Sequence, residues 1–175
     1  SKNRNNNNHK EIISETKSNH VLMNSIRAAQ KGHTFIYRNW EVESFGNPFA
    51  HVILRGYVDT LGISHSNYDK ETIHQVIKMY QEYDLSNPAI IIDCNHNNSN
   101  KDYMKQIDIA KEVLKYRKED EEIKNIVKGL MIESYLIDGN QKADEGVYGK
   151  SITDPCLGIE KTKQLILDIA KELRG

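Results

Sequence analysis

The sequence predicts an α/β fold in which a parallel sheet is covered by helices. Three short runs, residues 51–56, 90–92 and 126–134, are apolar almost throughout. Strands that are buried on both faces have this composition. Amphipathic helical patterns separate the runs and follow the last one. Strands that alternate with helices are typical of a parallel sheet.

Size and composition limit the class of protein. The chain has 175 residues, which fits one domain, and its net charge of −1 gives no basic field for nucleic acid. No apolar run approaches the ~20 residues of a membrane span, and no secretion signal is evident. Two cysteines fit a reducing, cytoplasmic setting. The first residue is not Met, which indicates a processed product or a piece of something longer.

The amino-terminal region, residues 1–20, is predicted to be an Asn-rich loop with a weak helix start. Its run of four asparagines, residues 5–8, cannot build a core. Residues 21–175 are predicted to be the folded part. The helical pattern of residues 10–30 ends before Gly32, which is expected at the C′ position.

The other elements are justified by their local patterns. Residues 33–38 alternate between polar and apolar, and residues 40–44 are expected to pair with them as a β-hairpin. Asp69 is expected to cap a helix at residues 69–85. Later helices are predicted at residues 103–117 and 159–173. The charged run 119–122 reads as a solvated face, and residues 61–67 and 136–156 read as loops.

Polar side chains stand where the three buried strands end. Arg55, His96 and Glu133 follow the strands in turn, and the last loop adds Asp154. Taken singly, each has an ordinary explanation: a surface charge, a structural histidine, a helix cap and a turn. Because carboxyl ends of parallel strands share one face, the set predicts a site. One imidazole and two carboxylates suit Mn²⁺, Fe²⁺, Co²⁺ or Zn²⁺. A guanidinium suits a phosphate or carboxylate.

Longer motifs give a specific resemblance. Residues 93–101, Asp-Cys-Asn-His-Asn-Asn-Ser-Asn-Lys, resemble the D-C-S-H-x-N-S-x-K segment of metal-dependent 3-deoxy-7-phosphoheptulonate (DAHP) synthases. Further segments resemble motifs of the same class I family and come in the family's order: residues 46–56, 131–134, 138–141 and 148–156.

The resemblance implies the carboxyl-terminal half of a (β/α)8 barrel, its last three to four βα units, with an inserted β-hairpin. The activity it implies joins phosphoenolpyruvate to erythrose 4-phosphate, the first step of the shikimate pathway. His96, Glu133 and Asp154 match the family's metal ligands, and Arg55 matches a residue that holds phosphoenolpyruvate. Lys2, in what resembles the tail of a G-F-K-N motif, matches another such contact. Lys2, Arg55 and His96 are therefore the expected catalytic residues.

The match is incomplete. A whole barrel needs about 250 residues, and the family's fourth metal ligand, a Cys on an earlier strand, has no counterpart here. Cys94 is expected to pack in the core. Because a partial barrel leaves strand edges and an apolar face uncovered, we expect pairing with a second copy or with a missing amino-terminal half.

Two other functions stay open. The chain is alternatively a truncated, non-catalytic relative that acts as a metal- and anion-binding or assembly module. A different metal-dependent barrel lyase or aldolase is disfavoured by the number and order of the shared motifs.

Overall fold

The computed structural model describes residues 20–174. The elements follow in this order: α1 (20–30), β1 (His33–Tyr37), β2 (Trp40–Ser44), β3 (Val52–Leu54), β4 (Tyr57–Val58), β5 (Ser64–His65), α2 (Lys70–Tyr83), β6 (Ile90–Asp93), α3 (Lys105–Glu119), α4 (Glu121–Ile126), β7 (Val127–Met131), β8 (Ile137–Asn140), β9 (Lys150–Ser151) and α5 (Ile159–Arg174). The predicted Asn-rich loop and the first part of the first helix lie outside the described residues.

The chain divides into two compact units. Of the described residues, the first unit comprises 20–52 and 75–88, and the second comprises 53–74 and 89–174. The predicted division at residue 20 falls beside the undescribed residues and stays a prediction.

The first unit contains the predicted β-hairpin. β1 and β2 pair antiparallel, with Tyr37 opposite Trp40. Arg38 and Asn39 connect the strands, and both have positive φ, 50° and 66°. Two such residues form the tight turn whose twist matches that of paired strands. β1 and β2 therefore form a hairpin, and its place as an insertion in a partial barrel stays a prediction.

Gly32 has a different role from the predicted one. Helix α1 ends at residue 30, close to the predicted boundary. The φ angle of Gly32 is not positive, so Gly32 is not a left-handed C′ residue. A Cβ at this position would lie 2.3 Å from the backbone oxygen of Ser44. Glycine is needed because the two backbones approach so closely.

The second unit is built on a small sheet. Its strand order is β3-β6-β7, with β6 in the centre. β6 and β7 pair in parallel, with Asp93 beside Met131. Ile90 and Ile92 are fully buried. The parallel pairing of the two predicted strands is confirmed.

Helices α3, α4 and α5 belong to the same unit. The side chains that they bury are mostly aliphatic: Ile109, Ala110, Val113, Leu114, Ile123, Ile126 and Leu165. α4 was not expected, because its sequence is mostly charged. Asp120 explains it: its side chain accepts hydrogen bonds from the backbone N–H groups of Glu122 and Ile123, which caps the helix.

The two predicted loops contain short strands, so those predictions are wrong in detail. β5 lies in the first loop and pairs antiparallel with β4, which precedes that loop. β8 and β9 both lie in the second loop and pair in parallel. These strands are two to four residues long, which is too short for a periodic sequence pattern. Within residues 20–174, no helix combines the length and apolar character needed to cross a membrane.

Candidate metal centre

The loop after β6 turns back sharply and carries His96. The backbone φ of His96 is 47°, in the left-handed region, and Asn100 and Lys101 also have positive φ. The N–H of Lys101 donates to the carbonyl of His96 at 2.9 Å. The turn therefore brings His96 and Lys101 to the same end of the sheet.

Three predicted site residues meet at this end. Nε2 of His96 lies 3.1 Å from Oε1 of Glu133 and 3.5 Å from Oδ2 of Asp154. All three donor atoms lie within 4.8 Å of one another. The side chains are 18%, 26% and 30% exposed respectively, so the cluster is partly open to solvent. One nitrogen and two carboxylate oxygens converge as a cation would require.

Asp93 fixes the His96 ring. Its Oδ2 lies 2.7 Å from Nδ1 of His96, and its Oδ1 accepts the N–H of Asn95 at 2.8 Å. Asp93 is 1% exposed. A carboxylate only accepts hydrogen bonds, so Nδ1 donates to Asp93, and Nε2 would direct its lone pair at a cation held together with Glu133 and Asp154. Metal-binding histidines are commonly oriented in this way.

Glu133 is fixed through its backbone and its side chain. The fully buried Gln106 accepts the N–H of Glu133 at 2.8 Å and donates to its carbonyl at 3.2 Å. Nδ2 of Asn95 donates to Oε2 of Glu133 at 2.9 Å. Oε1 of the carboxylate is the atom that faces His96.

Asp154 has a cationic partner. Nζ of Lys101 donates to Oδ1 of Asp154 at 3.0 Å, while Oδ2 faces His96. Four residues that support the three ligands were not among the predicted site residues: Asp93, Asn95, Lys101 and Gln106. Asp93 and Lys101 had a usable signal, since they are the first and last positions of the D-C-S-H-x-N-S-x-K segment. The spacing of three between Asp93 and His96 is also that of a supporting carboxylate and its ligand.

Arg55 lies at the end of β3, as predicted. Its side chain is exposed and forms no hydrogen bond or ion pair with the rest of residues 20–174. Its carbonyl accepts the N–H of Asn97 at 3.2 Å. The next residue, Gly56, has φ +71°, and a Cβ there would lie 2.6 Å from the His65 carbonyl oxygen and 2.7 Å from Asn97 Cβ. Glycine therefore holds the Arg55 turn against the His96 loop. The fifth predicted site residue, Lys2, lies outside the described residues.

Both cysteines are free and buried. Cys94 is fully buried, and the prediction that it packs in the core is confirmed. Burial raises the pKa of its thiol to about 12, with a smaller contribution from the charge of Asp93. Burial also raises the pKa of Cys156. Neither thiol belongs to the group of donor atoms around His96.

A second group of similar composition consists of His74, Asp120 and Glu122. Nε2 of His74 lies 2.8 Å from Asp120, and Nδ1 lies 3.3 Å from Glu122. Each ring nitrogen thus has its own carboxylate. Asp120 is also the cap of α4, and the Glu122 side chain is 66% exposed.

Comparison with known families agrees with the motifs. Residues 2–167 match the model of the DAHP synthetase I family. The chain belongs to this family. It is 36% identical over 164 residues to the Tyr-sensitive phospho-2-dehydro-3-deoxyheptonate aldolase of Salmonella typhimurium, covering 89% of this chain and 43% of that protein. It is 33% identical over 169 residues to phospho-2-dehydro-3-deoxyheptonate aldolase of Corynebacterium glutamicum, covering 88% and 43%.

A solved structure is also similar to this chain. The phospho-2-dehydro-3-deoxyheptonate aldolase of Francisella tularensis has a TM-score of 0.71 and 32% sequence identity. The match covers 87% of this chain and 44% of that one. The predicted family is confirmed, and the chain spans less than half the length of these three relatives.

Proposed function

We propose that this chain supplies the carboxyl-terminal part of a DAHP synthase, which condenses phosphoenolpyruvate with erythrose 4-phosphate. The observation that carries the proposal is the meeting of His96, Glu133 and Asp154 in a chain of this family. These residues are far apart in sequence, and each follows a different segment of the fold. The proposed compartment is the cytoplasm, which the two free thiols support.

The proposed architecture is a partial (β/α)8 barrel of three to four βα units with an inserted hairpin. The order β3-β6-β7 leaves β3 and β7 as edges within the part of the chain that the structure describes. Edge strands present unpaired backbone groups. We propose that the other strands come from an amino-terminal half or, alternatively, that a second copy covers the edges. The coverage of 43% or 44% of the relatives supports the first arrangement.

The three donors fit a divalent transition-metal ion. The neutral imidazole nitrogen of His96 and the carboxylates of Glu133 and Asp154 are the donor types that Mn²⁺, Fe²⁺, Co²⁺ and Zn²⁺ accept. The Asp93–His96 contact of 2.7 Å supplies the supporting carboxylate expected at such a site. A bound ion would act as a Lewis acid toward the aldehyde oxygen.

The chain's own groups would bind and orient the substrates. The exposed guanidinium of Arg55 has no anionic partner among residues 20–174, so it is available for the phosphate or carboxylate of phosphoenolpyruvate. Lys2 is proposed as a second cationic contact. Asp93 accepts a hydrogen bond from Nδ1 of His96, so Nε2 would be the atom that binds a metal ion. Fixed cations of this kind favour reaction by holding the attacking carbon in position.

A complementation assay tests the catalytic proposal. The chain would be combined with the amino-terminal half of a DAHP synthetase I relative, and phosphate release from both substrates would be followed with Mn²⁺ present. We expect activity only in the mixture, and a loss of at least about a hundredfold in Arg55→Ala, since fixed charges contribute factors of this size. Full activity of Arg55→Ala would refute its role.

The second candidate is a non-catalytic metal- and anion-binding or assembly module. It is favoured by the short span of the chain relative to the family members. Calorimetry with Mn²⁺ and phosphoenolpyruvate separates the two: binding without turnover in any mixture would support the module. Absence of both binding and turnover would overturn both proposals.

A further inference from the structure

The buried side chain of Asn95 contacts two ligand-bearing segments. Its Nδ2 donates to Oε2 of Glu133 at 2.9 Å and to the carbonyl of Pro155 at 3.2 Å. Its Oδ1 accepts the hydroxyl of Ser99 at 2.8 Å. The residue is fully buried. One buried amide thus makes three hydrogen bonds, and two of them connect the His96 loop to the two acidic segments.

The chemistry of these partners fixes which way the amide points. A carboxylate oxygen and a backbone carbonyl only accept hydrogen bonds, so the NH₂ group must face Glu133 and Pro155. Ser99 then donates to the remaining oxygen. A flipped amide would place its oxygen against two acceptors, which costs the full penalty of unsatisfied buried groups. Asn95 therefore has a single favourable orientation.

This orientation gives the two oxygens of the Glu133 carboxylate different partners. Oε2 is held by Asn95, and Oε1 is left facing Nε2 of His96 at 3.1 Å. Pro155 follows Asp154 directly, so the second hydrogen bond anchors the backbone beside the other acidic ligand. One side chain thereby constrains two of the three donors.

We propose that Asn95 is a positioning residue that sets Glu133 and Asp154 for cation binding. The inference rests on the proposed metal site and deepens it. Without the Asn95 amide, the Glu133 carboxylate is free to rotate, and binding would have to order it. Loss of such an outer contact typically lowers metal affinity by about ten- to a hundredfold.

The same loop provides a matched control. Asn98 is also a buried asparagine, and its Nδ2 donates to the carbonyls of Leu54 and Asp93 at 3.0 and 2.8 Å. Its Oδ1 accepts the N–H of Asn67 at 2.9 Å. Asn98 therefore makes as many hydrogen bonds as Asn95, but none reaches Glu133 or the Asp154 segment.

The test measures Mn²⁺ affinity by calorimetry for the parent chain, Asn95→Ala, Asn95→Ser and Asn98→Ala, with urea unfolding of each. We expect both alanine variants to lose stability, and only Asn95→Ala to lose affinity, by about tenfold or more. Asn95→Ser introduces the serine that the D-C-S-H segment has at this position. Its hydroxyl keeps one hydrogen-bond donor, so this variant should bind Mn²⁺ more tightly than Asn95→Ala.

The outcomes separate this inference from the proposed function. A parent chain that binds no Mn²⁺ would overturn the metal site itself. A parent that binds, together with a folded Asn95→Ala variant of equal affinity, would overturn the positioning role alone. An equal loss of affinity in Asn98→Ala would also overturn it, because the effect would then be a general disturbance of the loop.

Discussion

Two histidines in this protein, His96 and His74, each contact more than one carboxylate, yet their surroundings differ. His96 has Glu133 and Asp154 on the same ring nitrogen, while Asp93 occupies the other nitrogen. At His74, Asp120 and Glu122 face opposite ring nitrogens. The first arrangement gathers donor atoms around one point, and the second distributes them around the ring.

The difference shows that donor types alone do not define a metal site. The carboxylates beside His96 have further partners that leave one oxygen of each directed at the ring. Asp120 uses its carboxylate to cap α4, which explains its place without any ligand. We interpret the His74 group as a contact between helix α2 and Asp120, the cap of α4. We interpret the His96 group as a cation site.

The largest expected effect separates the two histidines directly. His96→Ala should weaken Mn²⁺ binding by more than about a hundredfold, beyond the loss usual for an outer contact, because the only nitrogen donor of the group is removed. His74→Ala should bind like the parent. Calorimetry on both variants, with circular dichroism to establish folding, checks this. Equal losses of Mn²⁺ affinity in the two variants would contradict the distinction between the His96 and His74 groups.

A substitution at Asp93 tests the supporting carboxylate. Asp93→Asn should lower Mn²⁺ affinity by about tenfold. If the new amide donates to Nδ1 of His96, the ring proton moves to Nε2 and blocks the donor atom. If its oxygen faces Nδ1 instead, its NH₂ group opposes the N–H of Asn95. Nitrogen-15 NMR of His96 reports the tautomer, and unchanged affinity with an unchanged tautomer would contradict the assigned role.

At the second group, the expected effect is on stability. Asp120→Ala should lower the thermal unfolding midpoint by a few degrees, as loss of a helix cap does. Mn²⁺ affinity should not change. Asp120→Asn keeps an acceptor for the α4 amides, so its unfolding midpoint should lie between those of the parent and Asp120→Ala. A loss of metal binding in Asp120→Ala would show that the His74 group takes part in the site.

The smallest expected effect is a dependence on pH. The backbone N–H of Ile123, aided by the His74 hydrogen bond, lowers the pKa of Asp120 below its ordinary value of 3.8. A lowered native pKa adds stability that is complete above the unfolded value and is lost as pH falls through the native one. The stability difference between the parent and Asp120→Asn should therefore shrink below about pH 4. Urea unfolding from pH 7 to pH 3 measures it, and a constant difference would contradict this assignment.

The sequence predicted the features that depend on clear patterns. The apolar runs around Ile53, Ile91 and Leu130 fall in strands. The polar residues after them include His96 and Glu133, and the last loop supplies Asp154. Asp69 accepts the N–H of Thr72 at 2.9 Å, as expected of a cap. These predictions succeeded because strand composition and capping are local properties.

The rest depended on contacts between distant segments. α4 was overlooked because Glu121 and Glu122 read as solvent-exposed charge, whereas the helix is specified by the Asp120 cap and the buried Ile123 and Ile126. The strands of the two loops are set by pairing across many residues rather than by composition. Asn95 gave no signal at all, since a single polar residue in an Asn-rich loop resembles its neighbours.

Gly56 has a consequence for sequence variation. Any side chain there would collide with the His65 carbonyl oxygen and with Asn97, and the φ of +71° disfavours L-residues in any case. Neighbouring Arg55 faces no such restriction from packing. In a deep mutational scan scored only for folding, position 56 should accept one amino acid while position 55 accepts many, so selection for activity would be needed to reveal the importance of the arginine.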